Sequence, residues 1–270
     1  SAALGFGWCI VYSIFEILGA YAASALFQII RPEETDPEND APRKYKIGSK
    51  MVAEFIGTYM LVITVGLNVL GGSTAPAFSI AAALMCMIFA LGSVSGAHFN
   101  PAVTVAIVMS GRDCCTSQHG EQYIALQIFG GVLGAFSYAF LENGKTFPLN
   151  PGAGHSWFEA CVAETVYTFF LCYIVLCVAT VKNPPTSNYF GLVIGACVTT
   201  GGYAIGALSG GSLNPAVSIG ISTSHILNGG NFWHCLVYSV FEIFGGLIAV
   251  GIFHVTHPEE YAPKDEAALS

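Results

Sequence analysis

Ser95-Gly96-Ala97-His98-Phe99-Asn100-Pro101-Ala102-Val103 returns 114 residues later as Ser209-Gly210-Gly211-Ser212-Leu213-Asn214-Pro215-Ala216-Val217. Asn is a good helix N-cap, and Pro suits the first helical position, where its missing N–H costs nothing. Each copy therefore predicts a helix start. The helices that follow are short: Pro101 to about Ser110, before Gly111-Arg112-Asp113, and Pro215 to about Thr223, before Ser224-His225. At 1.5 Å per residue, about ten residues cover roughly 15 Å, half of a hydrocarbon core. They read as two half-helices.

The composition identifies the solvent around them. Of 270 residues, 54% are hydrophobic and only 10% charged, and the mean hydropathy is +0.63. Soluble domains carry about a quarter charged residues, so this chain reads as a polytopic membrane protein embedded in the lipid bilayer. The net charge of −8 is spread over termini and loops. With no basic stripe, no nucleic-acid partner is expected. Cys86, Cys161, Cys172, Cys177, Cys197 and Cys235 fall in apolar segments, where cysteine acts as a small hydrophobe. Cys114-Cys115 lies in a polar loop, open to metal binding or acylation, but two adjacent thiols lack a zinc-site spacing. Neither a metal nor a cofactor is expected.

Seven stretches are long and uncharged enough to cross a bilayer: 3–30, 50–71, 76–97, 122–142, 157–181, 188–208 and 231–256. Residues 1–30 lack a basic n-region and a small-residue cleavage site, so they read as a span rather than a secretory leader. With alternating crossings, Arg31, Arg43, Lys44, Lys46, Lys50, Arg112, Lys182 and Lys264 share one side and only Lys145 lies opposite. The positive-inside rule makes the first side cytoplasmic. Residue 1 is then non-cytoplasmic and residue 270 cytoplasmic.

A second repeat settles the architecture. Ala53-Glu54-Phe55-Ile56-Gly57-Thr58 recurs as Ala163-Glu164-Thr165-Val166-Tyr167-Thr168, 110 residues on and in step with the Asn-Pro-Ala turns. The core is two halves of three spans each. Because three is odd, the second half enters the bilayer inverted, and the two half-helices meet N-terminus to N-terminus near the midplane with their positive dipole ends together. The fold class is an all-α membrane bundle of six spans in an inverted repeat, with two re-entrant half-helices and one extra N-terminal span.

Paired Asn-Pro-Ala half-helices in such a repeat resemble the aquaporin, or major intrinsic protein, family. The resemblance covers 50–256 and rests on both turns, each preceded by Ser-Gly, and on the Ala-Glu that opens each half. It implies a right-handed bundle around one narrow pore per subunit, assembled as a homotetramer, or as a pseudo-tetramer if units are linked in tandem.

The chemistry of a pore follows from the residues themselves. Irregular backbone at bilayer depth is tolerated only where it lines a cavity, so 96–99 and 210–213 should turn carbonyls toward a water-filled path. Asn100 and Asn214 would offer side-chain N–H donors at the centre, beside Pro101, Ala102, Pro215 and Ala216. Together with the dipole ends, this orientation opposes cations and proton hopping. Each Asn also caps its own helix, and the two roles are compatible.

The selectivity positions depart from orthodox water channels. The family's outer constriction is an aromatic, a His, a small residue and an Arg. Counting from each Asn, the resemblance puts Ile80, Gly202, Gly211 and Val217 there. None is charged or aromatic, which implies a wider and less polar opening. Val at the Arg position, in Gly-Gly-Ser-Leu-Asn-Pro-Ala-Val-Ser, looks like plant tonoplast-type channels. Ser218 stands where glycerol facilitators commonly carry Asp. Plain span packing also accounts for Ile80 and Gly202, and an offset of one helical turn would move the assignment.

Glu54 and Glu164 lie inside spans, where a carboxylate is a functional candidate by default. The resemblance gives them a supporting role, accepting hydrogen bonds from the backbone of the re-entrant loops. His98 reads as a loop-packing residue rather than a ligand. Gly130/Gly134 and Gly191/Gly195, spaced by four, suit close helix contacts. Glu242 has no evident role in the sequence.

The first span is itself a repeat. Val11-Tyr12-Ser13-Ile14-Phe15-Glu16-Ile17 matches Val237-Tyr238-Ser239-Val240-Phe241-Glu242-Ile243, and Pro32-Glu33-Glu34 matches Pro258-Glu259-Glu260, both 226 residues apart. Residues 1–31 thus read as the closing span of a preceding unit, 32–49 as a cytoplasmic linker, 50–256 as the channel domain and 257–270 as a cytoplasmic tail. A local duplication would give the same pattern.

The expected function is a passive channel for water or small neutral solutes (ammonia, urea, hydrogen peroxide, at the upper limit glycerol) that excludes ions and protons. A secondary transporter would need an ion site at the midplane, and no charged residue accompanies Asn100 or Asn214. A pore-closed membrane scaffold on the same fold is the alternative. No nucleophile and base pair up near the pore, so no enzyme is expected.

Overall fold

The computed structural model describes residues 2–34, 45–183 and 189–262, with side chains described from residue 6 onward. Its helices are α1 (Ala2–Ile30), α2 (Ile47–Leu70), α3 (Pro76–Ser95), α4 (Pro101–Met109), α5 (Ser117–Leu141), α6 (Trp157–Ala179), α7 (Phe190–Ser209), α8 (Pro215–His225) and α9 (Trp233–Thr256). Among the described residues there is no strand. All but α4 and α8 are long and apolar enough to span a bilayer. Arg43, Lys44 and Lys264, with most of the linker and tail, lie outside the described residues.

Two equivalent sets of four helices build the bundle. In one, α2 packs on α5 and α3; in the other, α6 packs on α9 and α7. Each half-helix crosses into the opposite set, α4 against α9 and α8 against α5. The tight crossings depend on glycine. A Cβ on Gly130 of α5 would lie 2.6 Å from the Phe55 carbonyl oxygen, and one on Gly245 of α9 would lie 2.4 Å from that of Thr165. No side chain fits at either place, and that proximity lets these helices pack backbone to backbone in lipid. Gly191 and Gly195 instead meet the side chains of Phe89 and Met85 on α3.

One boundary differs from the hydropathy reading. α5 starts at Ser117 rather than near 122, because the Thr116 hydroxyl caps it by accepting from the His119 N–H at 3.2 Å. A polar first turn is invisible to hydropathy but is a good helix when capped.

The described basic residues other than Lys145 gather at one end of the bundle. There Arg112 reaches the Thr180 carbonyl, the Glu260 carbonyl and the Glu260 carboxylate, tying the α4–α5 loop to α6 and to the turn after α9. Arg31 donates to the Ala90 carbonyl at 2.6 Å and to Ser93 Oγ at 3.1 Å, fastening the end of α1 to α3. Ahead of that anchor, residues 6–25 of α1 are all exposed.

Candidate functional site

The backbone of the two loops is wound the same way twice. Gly96, Ala97 and Phe99 take φ of +94°, +54° and +50°; Gly210, Gly211 and Leu213 take +94°, +62° and +54°. Glycine adopts such angles freely, but each L residue there costs about 1–2 kcal/mol. Three non-glycine residues are held left-handed, so something must hold them.

Two buried carboxylates do so. Glu54 of α2 accepts from Ser95 Oγ at 2.6 Å, the His98 N–H at 3.0 Å and the Phe99 N–H at 2.8 Å. Glu164 of α6 accepts from Ser209 Oγ at 2.6 Å, the Ser212 N–H at 3.1 Å and the Leu213 N–H at 2.9 Å. Both side chains are fully buried. Hydrogen bonds to a carboxyl group in a dry interior are strong, and here they fix backbone that would otherwise relax.

The halves differ at one partner, and this gives Glu242 its context. In the first half Gln127 of α5 donates its amide to Glu54 Oε2 at 2.8 Å and to Thr104 Oγ1 at 2.9 Å. In the second half Glu242 of α9 stands in the equivalent place. Its Oε1 accepts from the Asn214 N–H at 3.1 Å and from Ser218 Oγ at 2.8 Å, while Oε2 is buried without a partner among the described residues. A carboxylate offers no N–H where glutamine does. Glu242→Gln places there the amide that Gln127 supplies in the first half, and is expected to raise the detergent melting temperature, an effect of about 1–3 kcal/mol. A fall in melting temperature would show that the carboxyl is needed as it stands.

The half-helices are capped as their sequence requires and also locked to each other. Asn100 Oδ1 accepts from the Ala102 N–H at 2.8 Å, and Asn214 Oδ1 from the Ala216 N–H at 2.9 Å. Asn100 Nδ2 then donates to the Leu213 carbonyl at 2.8 Å, and Asn214 Nδ2 to the Phe99 carbonyl at 2.9 Å. One of the two amide hydrogens on each Asn is thus spent on the opposite loop, a partner beyond its own cap and the pore. Each Asn has one N–H left over.

Beside this junction lies a cavity of about 640 Å³ whose wall runs from Val69, Pro76 and Asn150 at one end to Ile107 and Ala179 at the other. Asn100 and Asn214 line it, as do Ile80, Gly202, Gly211 and Val217. Pro101, Ala102, Pro215 and Ala216 are buried in the half-helices beneath. The rest of the wall is largely apolar, from Leu61 and Val65 of α2 and their counterparts Leu171 and Val175 of α6. Two glycines on this wall resist a side chain. A Cβ on Gly202 would lie 2.8 Å from Ala77 Cβ, and Gly211 is left-handed with its Cβ direction 3.5 Å from Gly202 Cα. In the other half, the residues 114 positions away from Gly202 and Val217 are Ile88 and Val103, which also line the cavity.

His98, read from the sequence as a loop-packing residue, is buried with Nδ1 3.1 Å from Thr104 Oγ1 and also lines the cavity. Other contributors had no signal in the sequence. Phe147 and Leu149, from the α5–α6 connection, reach it too. Gln127 lies 115 residues before Glu242, one off the 114 of the Asn-Pro-Ala turns, so a strict count from Glu242 lands on Ile128; nothing local marks the connection.

A model described as Major intrinsic protein matches residues 50–254. The chain is 32% identical over 216 residues to Aquaporin NIP1-1 of Zea mays, covering 76% of this chain and 74% of that protein. It is 28% identical over 232 residues to Nodulin-26 of Glycine max (82% and 83% covered), and 32% identical over 232 residues to Probable aquaporin TIP2-1 of Oryza sativa subsp. japonica (78% and 89%). In fold it is similar to the aquaglyceroporin from Plasmodium falciparum, with a TM-score of 0.67 at 20% identity over 78% of this chain and 97% of that one.

Proposed function

This chain belongs to the major intrinsic protein family of multi-pass membrane channels, which pass water and small solutes down their gradients rather than transform them, and we propose that its pathway is the cavity beside the two Asn-Pro-Ala loops. The observation that carries this reading is the mutual locking of Asn100 and Asn214 onto the opposite loop's carbonyl. That lock fixes two half-helix N-termini at one point of an otherwise apolar wall, a barrier to cations that leaves neutral hydrogen-bonding molecules a donor.

The outer constriction in this proposal is Ile80, Gly202, Gly211 and Val217. Lacking charge and aromatic rings, it admits neutral solutes broader than water. Vesicles reconstituted with the protein should swell or shrink in stopped-flow with water, ammonia, urea and hydrogen peroxide at comparable enhancement over empty vesicles, and with glycerol more slowly. Strict water selectivity would overturn the assignment of these four positions, and no flux of any kind would favour a closed scaffold.

Orientation and assembly belong to the same proposal. The basic end faces the cytoplasm. A single cysteine in place of the exposed Lys145, on a cysteine-free background, should react with an impermeant thiol reagent applied outside intact cells; reaction only after permeabilisation would invert the topology. The assembly is a homotetramer, or a pseudo-tetramer of linked units, to be read from cross-linking in the membrane.

A further inference from the structure

The bundle-facing surface of α9 is written twice in the chain. Among the residues α9 buries are Cys235, Tyr238, Glu242, Gly245, Ala249 and Phe253. Their counterparts 226 residues earlier are Cys9, Tyr12, Glu16, Gly19, Ala23 and Phe27, identical at every position. The other two buried positions, Gly246 and Val250, become the small residues Ala20 and Ser24. The lipid side behaves differently. Leu236, Val240, Phe244 and Leu247, all 40% or more exposed, correspond to Ile10, Ile14, Leu18 and Tyr21, which share their apolar character and none of their identities. A span retained for hydrophobicity alone would not separate the two faces in this way.

In α9 each of those residues has a task. The Tyr238 hydroxyl donates to the Ser209 carbonyl at 2.7 Å, Glu242 receives the Asn214 N–H, and Gly245 lets the helix cross α6 against the Thr165 carbonyl. In α1 the same surface is uncovered: Tyr12 is 68% and Phe27 48% exposed, and Cys9 and Glu16 are exposed. A carboxyl group turned to hydrocarbon is costly. The repeat continues past the helix, since both α1 and α9 run into a 3-10 turn beginning Pro-Glu-Glu.

We infer that the exposed face of α1 is the closing surface for a second six-span unit of this same fold, seating between the counterparts of α4, α6 and α8 as α9 does here, with Glu16 against that unit's second Asn-Pro-Ala loop. The inference rests on packing and not on which solute passes, so its failure would leave the channel reading intact.

The first test transplants the helix. In the full chain, residues 6–30 replace 232–256, and osmotic flux per inserted protein is measured in vesicles. Flux is expected to stay within about threefold of the parent, because the bundle-facing contacts are retained. The same transplant carrying Glu16→Leu and Gly19→Leu is expected to lose about tenfold or more, since leucine at a backbone crossing overpacks it. Inserted transplant without flux, or no difference between the two transplants, overturns the inference. Should the transplants fail to reach the membrane, a second measurement decides. A chain with residues 45–226 placed directly ahead of residue 1 is given one cysteine at Thr165 of the added unit and one at Phe15, the counterpart of Phe241, whose carbonyl accepts from Thr165 Oγ1 at 3.2 Å. A short bismaleimide should join them, and should not join Thr165 to a cysteine at the lipid-side Ile14. Cross-linking at both positions, or at neither in fully inserted protein, means that lipid or an unrelated surface covers α1.

Discussion

Replacing Glu164 by leucine should abolish channel flux and destabilise the protein more than any change to the cavity wall. Glu164 receives three donors from the second loop, and two of them are backbone N–H groups with no other partner within reach of the turn. Leucine fills the space but accepts nothing. Each buried donor left unpaired costs about 1–3 kcal/mol, and Leu213 then has nothing to hold it left-handed. The sum, about 3–8 kcal/mol, is comparable with the whole stability of an ordinary domain at about 5–15 kcal/mol. The damage crosses the midplane, since the Leu213 carbonyl is what Asn100 Nδ2 donates to. Glu164→Gln retains one acceptor oxygen and should fall between leucine and the parent. Melting in detergent, together with water flux at matched incorporation, measures both effects. Full flux through the leucine variant would mean that the loop holds its shape without the carboxylate.

The second large effect is expected from Val217→Arg. Val217 lines the cavity, as do Gly202 and Gly211, and is itself 4% exposed. Of the four proposed constriction positions the two glycines resist added bulk, since a Cβ on Gly202 would meet Ala77 Cβ and Gly211 is left-handed, whereas Val217 already carries a side chain on the cavity wall. A guanidinium there narrows the opening and places a cation in surroundings of low dielectric. Urea and glycerol flux should fall about tenfold or more, equivalent to at least about 1.4 kcal/mol at the barrier, while water flux falls much less. Val217→Leu separates size from charge, because it narrows the opening without adding a cation. Equal loss of water and solute flux in the arginine variant would place the selective ring elsewhere, the Ile88 and Val103 end being the next to test.

Much of this protein is decided by local sequence. A charged fraction of 10% forces a bilayer, and span length follows from hydrocarbon thickness. Asn-Pro-Ala after the Ser-Gly turn starts a helix in both copies, at Pro101 and Pro215, capped by Asn100 and Asn214, whereas Asn150-Pro151 outside that repeat starts none. The inverted repeat follows from counting, since three spans return the chain to the opposite side. All of these are properties of contiguous residues or of identity at a fixed offset, so they can be read without coordinates.

Tertiary structure decided what depends on which groups meet. Whether the Asn100 amide meets a carbonyl 113 residues away is a matter of loop juxtaposition, and here it does. Gln127 and Glu242 take equivalent places only because α5 and α9 pack equivalently against the two loops. The absence of room for a side chain at Gly202 is imposed by Ala77 on a different helix. The uncovered face of α1 could be recognised only after α9 revealed which of the matching residues it buries. Hydropathy and spacing record that a residue is apolar or repeated; which neighbour it meets is set by the packing of distant segments, and there the roles of these residues are settled.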